Sequence, residues 1–232
     1  MTETAAAPEA QKRAAALAAL DLVENDTVVG LGTGSTARYL IEELGSRLET
    51  GLLSGVRGVA TSRTSEELAS ACGIPLVELP AEEIPLAIDG MDEVDDRLRA
   101  IKGLGGALTR EKVVASAAQR FVLIGDASKL VVQLARATPI PVEVLEFGRN
   151  RTERLLERLG LEPRLRLRKG QPFTSDNGNP VLDCSVVATT DLEGLAAEIK
   201  ALPGVVEHGL FLEQASLAIV AGEDRVTELR RA

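Results

Sequence analysis

VVGLGTGSTARYLIEELGSRL (28–48) decides the fold. Thr27 to Leu31 is a short β-branched and apolar run, which predicts a strand. Glycines at 30, 32 and 34 then free the backbone, and Ser35 and Thr36 open a helix expected to reach about Leu48. A strand, a glycine-rich turn and a helix form the repeating unit of parallel sheets covered by helices. The unit recurs downstream. Val56 to Thr61 predicts a strand, and Ser65 to Cys72 a helix closed by Gly73 and Pro75. Leu76–Leu79, Leu86–Ile88 and Phe121–Ile124 read as further apolar strands. Upstream, residues 9–24 predict an Ala-rich helix with Leu17, Leu20 and Val23 on one face.

These patterns predict an α/β chain with a Rossmann-like, mainly parallel sheet and helices on both faces. After about Val131 the pattern changes. Pro139–Phe147 predicts a strand, Arg151–Leu159 a helix stopped by Gly160, and the alternating Arg164–Arg168 a half-exposed strand. A turn cluster at Asp176–Asn179 precedes a strand from Pro180 to Val187. Asp191 caps a helix to about Leu202, and Gly204–Glu207 forms a last strand. That βαββαβ order is ferredoxin-like. The expected division is therefore 1–130 plus 208–232 as the α/β catalytic domain, with 131–207 a smaller α+β domain. SLAIVAG (216–222), apolar on both faces, suits a strand returning to the first sheet. Residues 149–169 hold eight basic and three acidic side chains, read as a solvated face.

Composition narrows the function. Hydrophobic residues make up 45% of the 232, but aromatics only 2%, so platforms for stacking bases are not expected. A net charge of −9 likewise argues against a general nucleic-acid partner, yet leaves room for a local anion site. Cys72 and Cys184 are too few for a disulfide framework or a thiolate metal site. No apolar run is long enough to span a membrane, and the N-terminus lacks a signal-peptide core, so a cytoplasmic setting is expected.

Two segments carry chemistry. Glycines followed by Ser35 and Thr36 at a helix start suit an anion, bound by N–H groups and hydroxyls and favoured by the helix dipole. The spacing is neither the dinucleotide fingerprint nor a Walker loop, which favours a monophosphate, the alternative being a tight turn with an N-cap. IDGMDEVDDRLRAIKGLGGALTREK (88–112) packs Asp89, Asp92, Lys102, a second glycine-rich loop and Glu111 into about two dozen residues. Taken singly, each charged residue fits a surface salt bridge or a helix-dipole partner. Together they suit proton abstraction beside a carbonyl, with a carboxylate base and a cation for the developing oxyanion. The only histidine, His208, makes histidine-based nucleophile systems and metal sites improbable.

The chain resembles type A ribose-5-phosphate isomerases over nearly its whole length. The resemblance rests on GTGSTA (32–37), ATSRTSEELA (60–69), DGMDEVD (89–95), KGLGGALTREK (102–112), DASKLV (126–131), PIPVEV (139–144), TSDNGN (174–179) and GVVEHGLF (204–211). It implies interconversion of ribose 5-phosphate and ribulose 5-phosphate without metal or organic cofactor, in a homodimer or homotetramer to which the small domain contributes. Glu111 is implied as the base acting between C2 and C1 through a cis-enediolate. Asp89 and Asp92 are implied for hydroxyl protons and ring opening, and Lys102 for the oxyanion. Thr33, Gly34, Ser35, Thr36, Gly90, Met91, Gly103, Leu104, Gly105, Lys129 and Lys12 are implied to bind substrate. Leu104 and Met91 depart from small residues of the family, and His208 from an asparagine. Leu104 would crowd the cradle unless its side chain points away. The competing readings are a non-catalytic sugar-phosphate sensor on the same scaffold and a sugar-phosphate deaminase or lactonase. The last two would need a catalytic histidine.

Overall fold

The computed structural model describes residues 6–186 and 191–231. The chain opens with α1 (Ala6–Leu20), β1 (Val28–Leu31), α2 (Ser35–Glu49), β2 (Arg57–Ala60), α3 (Arg63–Ala71) and β3 (Ile84–Gly90). Two short strands, β4 (Glu93–Val94) and β5 (Ala100–Ile101), lead to α4 (Leu108–Ser116) and β6 (Ala118–Asp126). Next come β7 (Ile140–Val144), α5 (Arg149–Arg158), β8 (Leu161–Leu165), β9 (Leu167–Arg168) and β10 (Gln171–Pro172). The chain continues through β11 (Val181–Val186), α6 (Leu192–Ala201) and β12 (Val205–His208). It closes with β13 (Leu210–Phe211), β14 (Ala215–Ala221) and β15 (Val226–Arg230).

Six strands form the main sheet in the order β15-β14-β6-β3-β1-β2, all parallel except the edge strand β15. Alternation along the strands sorts the core. Val29, Leu31, Leu86, Ile88, Val122 and Ile124 meet α1 and α2 on one face. Ala87, Leu123 and Ala218 meet Val114 and Ala115 of α4 on the other. With helices on both faces, the α/β expectation holds, and the C-terminal ends of β1 and β3 open onto the site. There the sheet order reverses direction, where open α/β sheets place their ligands.

Four strands form a second sheet, β12-β7-β11-β8, every pair antiparallel. Numbered within this unit the order is 4-1-3-2, the ferredoxin-like arrangement. Ile140, Val142, Leu182 and Cys184 pack against Leu156 of α5 and Leu195 and Ile199 of α6. Among the described residues no helix is long and apolar enough to cross a membrane.

Several elements depart from expectation. Leu76–Leu79 is not a strand but makes a single bridge, Leu76 to Gly58. Pro75, which has no N–H to donate, starts that segment beside the sheet edge. α1 stops at Leu20, so Val23 is buried beyond the helix rather than on its face. The helix-like stretch from Leu108 to Gln119 is α4 only as far as Ser116, and Ala118 already belongs to β6. The strand expected over Arg164–Arg168 is interrupted at the buried Arg166, which separates β8 from β9. Val187, the expected end of β11, lies outside the described residues.

Candidate active site

β1 and β3 lie side by side, with Leu31 opposite Ile88, so Gly32 and Asp89 meet just beyond the paired ends. A Cβ on residue 32 would sit 2.1 Å from Asp89 Oδ1, which leaves glycine as the residue that fits. Asp89 Oδ1 accepts the N–H groups of Thr33 at 2.9 Å and Gly90 at 2.7 Å. This acid ties the first glycine loop to the second segment. Gly34, at φ 111°, precedes α2 without any side-chain cap, so the first N–H groups of that helix face outward unclaimed by a cap.

Lys102 is buried. Its Nζ donates to Gly90 O at 2.5 Å and lies 3.0 Å from Asp89 Oδ2 and 3.5 Å from Glu111 Oε1. Asp89 Oδ2 and Glu111 Oε2 are buried and make no hydrogen bond. α4 also begins without a side-chain cap, at Ala107, and presents Glu111 in its first turn. Asp92 Oδ2 accepts the Leu104 N–H at 2.9 Å, pinning the second glycine loop.

Burial dominates the protonation of this group. It pushes the Glu111 carboxyl up to about 8, with Lys102 opposing and the Asp89 and Asp92 charges adding to the rise. Asp89 and Asp92 are also raised by burial, against the pull of Lys102 on the first and of the Leu104 N–H on the second. Burial presses Lys102 down, but Asp89 and Glu111 outweigh it and hold the ammonium above its ordinary value. Glu111 is the acid that keeps a proton more readily. It has only the lysine at 3.5 Å, whereas Asp89 has two N–H donors and the same lysine at 3.0 Å.

The cleft brings together most of the expected residues: Thr33, Gly34, Ser35, Thr36, Gly90, Met91, Asp92, Lys102, Gly103, Gly105, Glu111 and Lys129. Asp89 sits behind this lining. Thr33 lines it, but its N–H is taken by Asp89 and its hydroxyl lies among Thr61, Ser62 and Ser65 at 2.8–3.1 Å. Leu104 does not line the cleft, and its side chain is 42% exposed. Lys12 is not in the lining either; it pairs with Glu9 at 2.7 Å, beside Tyr39 of α2. A larger groove of about 510 Å³ along β2 and α4 is mostly apolar and lacks any lysine set between buried acids.

Three contributors were not anticipated. Arg166, expected on a solvated face, is buried and donates to Gly103 O at 2.8 Å and Leu104 O at 3.0 Å while paired with Asp183. Arg168 reaches Gly105 O at 3.2 Å. Both brace the glycine loop from the segment that follows β8, and the Leu-Arg alternation gave no sign of it. The buried Phe211 ring has Lys102 at 5.5 Å and Lys112 at 4.9 Å, a cation–π contact on each.

The profile of the family described as ribose 5-phosphate isomerase A (phosphoriboisomerase A) matches residues 57–225. A ribose-5-phosphate isomerase A of Roseiflexus castenholzii is 50% identical over 220 residues, 94% of each chain. This chain belongs to the ribose-5-phosphate isomerase A family. Solved ribose-5-phosphate isomerases share the whole architecture. One, in complex with phospho-erythronic acid, matches at TM-score 0.93 and 37% identity, covering 97% of this chain and 99% of that one. The enzyme of Methanocaldococcus jannaschii matches at TM-score 0.91 and 39% identity, covering 96% and 99%. These likenesses extend through both sheets, so the small sheet is as much part of the ribose-5-phosphate isomerase A architecture as the large one.

Proposed function

We propose that this chain interconverts D-ribose 5-phosphate and D-ribulose 5-phosphate through a cis-enediolate. The observation that carries the reading is the buried ammonium of Lys102, ion-paired to Asp89 at 3.0 Å and 3.5 Å from Glu111, whose second oxygen has no protein partner. Such a group suits the uncharged, polarisable end of the sugar, with its hydroxyls and carbonyl. The phosphate sits at the uncapped start of α2, among the N–H groups and hydroxyls of Ser35 and Thr36, with Lys129 opposite.

In the open-chain aldose, ionised Glu111 takes the proton from C2. The C2–H electron pair becomes the C1–C2 double bond, and negative charge moves onto O1, where Lys102 stabilises it. The O2 proton passes through Asp92 to O1, and Glu111 returns its proton to C1, leaving the carbonyl at C2. Burial makes Glu111 a stronger base than a solvated carboxylate, which suits a weakly acidic C–H bond. Asp89, behind the lining, holds Lys102 charged and in place, and it serves ring opening through the same proton relay. The oxidation at one carbon balances the reduction at the next, so no redox cofactor is needed, and the Lys102 ammonium supplies the positive charge at the oxyanion.

The chain works as a cytoplasmic homodimer or homotetramer, with residues 131–207 as a smaller domain that takes part in assembly. Phe147, 93% exposed in this unit, is the kind of side chain such a contact would cover. The test is direct: purified protein with ribose 5-phosphate, watching for the ketose with and without EDTA. Ketose at equal rates in both, and none from ribose lacking its phosphate, is expected. Binding of ribose 5-phosphate without any ketose would overturn the enzyme reading in favour of a sensor.

A further inference from the structure

Two motifs are not used by that reaction, PIPVEV (139–144) and TSDNGN (174–179), and they meet at one buried carboxyl. Glu143 lies on β7 with no exposed surface. Its Oε2 accepts from Thr109 Oγ1 at 2.5 Å, and its Oε1 from Ser175 Oγ at 2.8 Å and Asn179 Nδ2 at 2.9 Å. Asn177 Nδ2 spans both oxygens, at 3.2 and 3.3 Å. Among the described residues no lysine or arginine pairs with it.

A buried carboxyl held only by uncharged donors costs more than an apolar residue of similar size would. What it supplies is direction. Thr109 stands two residues before Glu111, in the first turn of a helix that has no side-chain cap of its own. The same loop takes the next residue as well: Arg110 Nε donates to Asn177 Oδ1 at 2.9 Å, and its Nη2 to Asp176 O at 3.2 Å. On the other side of Glu111, Lys112 Nζ donates to Glu207 Oε1 at 3.0 Å and to His208 O at 2.5 Å. Residues 109, 110 and 112 therefore grip the small unit while 111 faces the cleft.

We propose that Glu143 is a positioning residue for Glu111, fixing the first turn of α4 through Thr109 and the 175–179 loop. The proposal rests on the reading of Glu111 as the base. Glu143 itself bonds Thr109 and the 175–179 loop and no residue of the phosphate loop, so its loss is expected to act on turnover more than on binding. A displacement of about 1 Å in a reacting group costs on the order of 100-fold in rate. Glu143→Gln, which sets an amide N–H₂ against the surrounding donors, is accordingly expected to lower kcat about 10–100-fold with KM within about 3-fold.

The rate is taken per intact site, counted by calorimetric titration with phospho-erythronic acid, so that partial unfolding does not imitate the effect. Thr109→Val is expected to repeat the loss and Thr109→Ser to restore it, which keeps the proposal testable should Glu143→Gln fold poorly. The deciding measurement places Glu143→Gln in a Glu111→Gln background. If Glu143 acts through Glu111, the residual rate does not fall further, because the two effects are coupled. An undiminished loss there, or full kcat in both Glu143→Gln and Thr109→Val, would overturn the proposal. Full activity in Glu111→Gln alone would instead remove the base assignment beneath it.

Discussion

Two buried carboxyl groups bracket the first turn of α4 and are built in opposite ways. Glu143 has both oxygens occupied by Thr109, Ser175, Asn177 and Asn179. Glu111 has one oxygen 3.5 Å from Lys102 and the other without a partner. Burial is the same; satisfaction is not. A saturated buried acid fixes structure, because every lone pair it could offer is already used. An unsaturated one beside a cation keeps lone pairs free of the protein's own donors, as a group that must take up a proton from a substrate does. The contrast separates the two roles more sharply than exposure or charge does.

Removing the unsaturated acid has the largest effect. Glu111→Gln is expected to lower turnover about 10²–10⁴-fold, the range for losing a general base. The same variant gains stability, and the gain depends on pH. Burial raises the Glu111 carboxyl from its ordinary 4.5 to about 8, so between these values the unfolded chain releases a proton that the folded chain keeps. Stability from this group is fully present below pH 4.5 and is lost as pH rises through about 8. Glutamine does not ionise, so the melting-temperature advantage of the variant widens from pH 5 to pH 8. A constant difference across that window would mean that burial does not hold Glu111 protonated in the free protein.

Lys102→Met tests the cation between the acids. Loss of a preorganised charge at a developing oxyanion costs about 10²–10³-fold in kcat. The KM for ribose 5-phosphate should rise less than kcat falls, since the proposed phosphate cradle lies at the start of α2. A loss confined to KM would place Lys102 in substrate binding alone.

How much of this was readable from residues alone follows from the range of the signals. The parallel strands of the main sheet were legible because they carry apolar runs and the start of α2 is marked by Gly34, Ser35 and Thr36, whereas the exposed edge strand β15, VTELR, carries no such run and was not foreseen. The reactive cluster was legible because Asp89, Asp92, Lys102 and Glu111 fall within one short segment. The two-residue strands β4, β5 and β13 were not, since a pair of residues carries no period. Nor was the inward turn of Arg166. Its partner Asp183 sits on another strand and its acceptors Gly103 and Leu104 on another loop, so nothing local distinguishes it from Arg164. Glu143 was hidden for the same reason: its donors come from positions 32 to 36 residues later or 34 earlier.

Leu104 gives the smallest expected effect, and it tests whether the glycine loop is held by its backbone or by its lack of side chains. A leucine here looked like an obstruction. Its side chain, however, stays out of the cleft lining, while its N–H bonds Asp92 and its carbonyl accepts from Arg166. Both backbone contacts survive removal of the side chain. Leu104→Gly is therefore expected to leave kcat/KM within about 3-fold, under 1 kcal/mol of transition-state stabilisation, and to lower stability by up to about 1 kcal/mol through added freedom of the unfolded chain. A tenfold rise in kcat/KM would show that the side chain does obstruct the substrate, and a tenfold fall that it closes over it. With neither, the loop is positioned by Asp92, just beyond β3, and Arg166, just beyond β8.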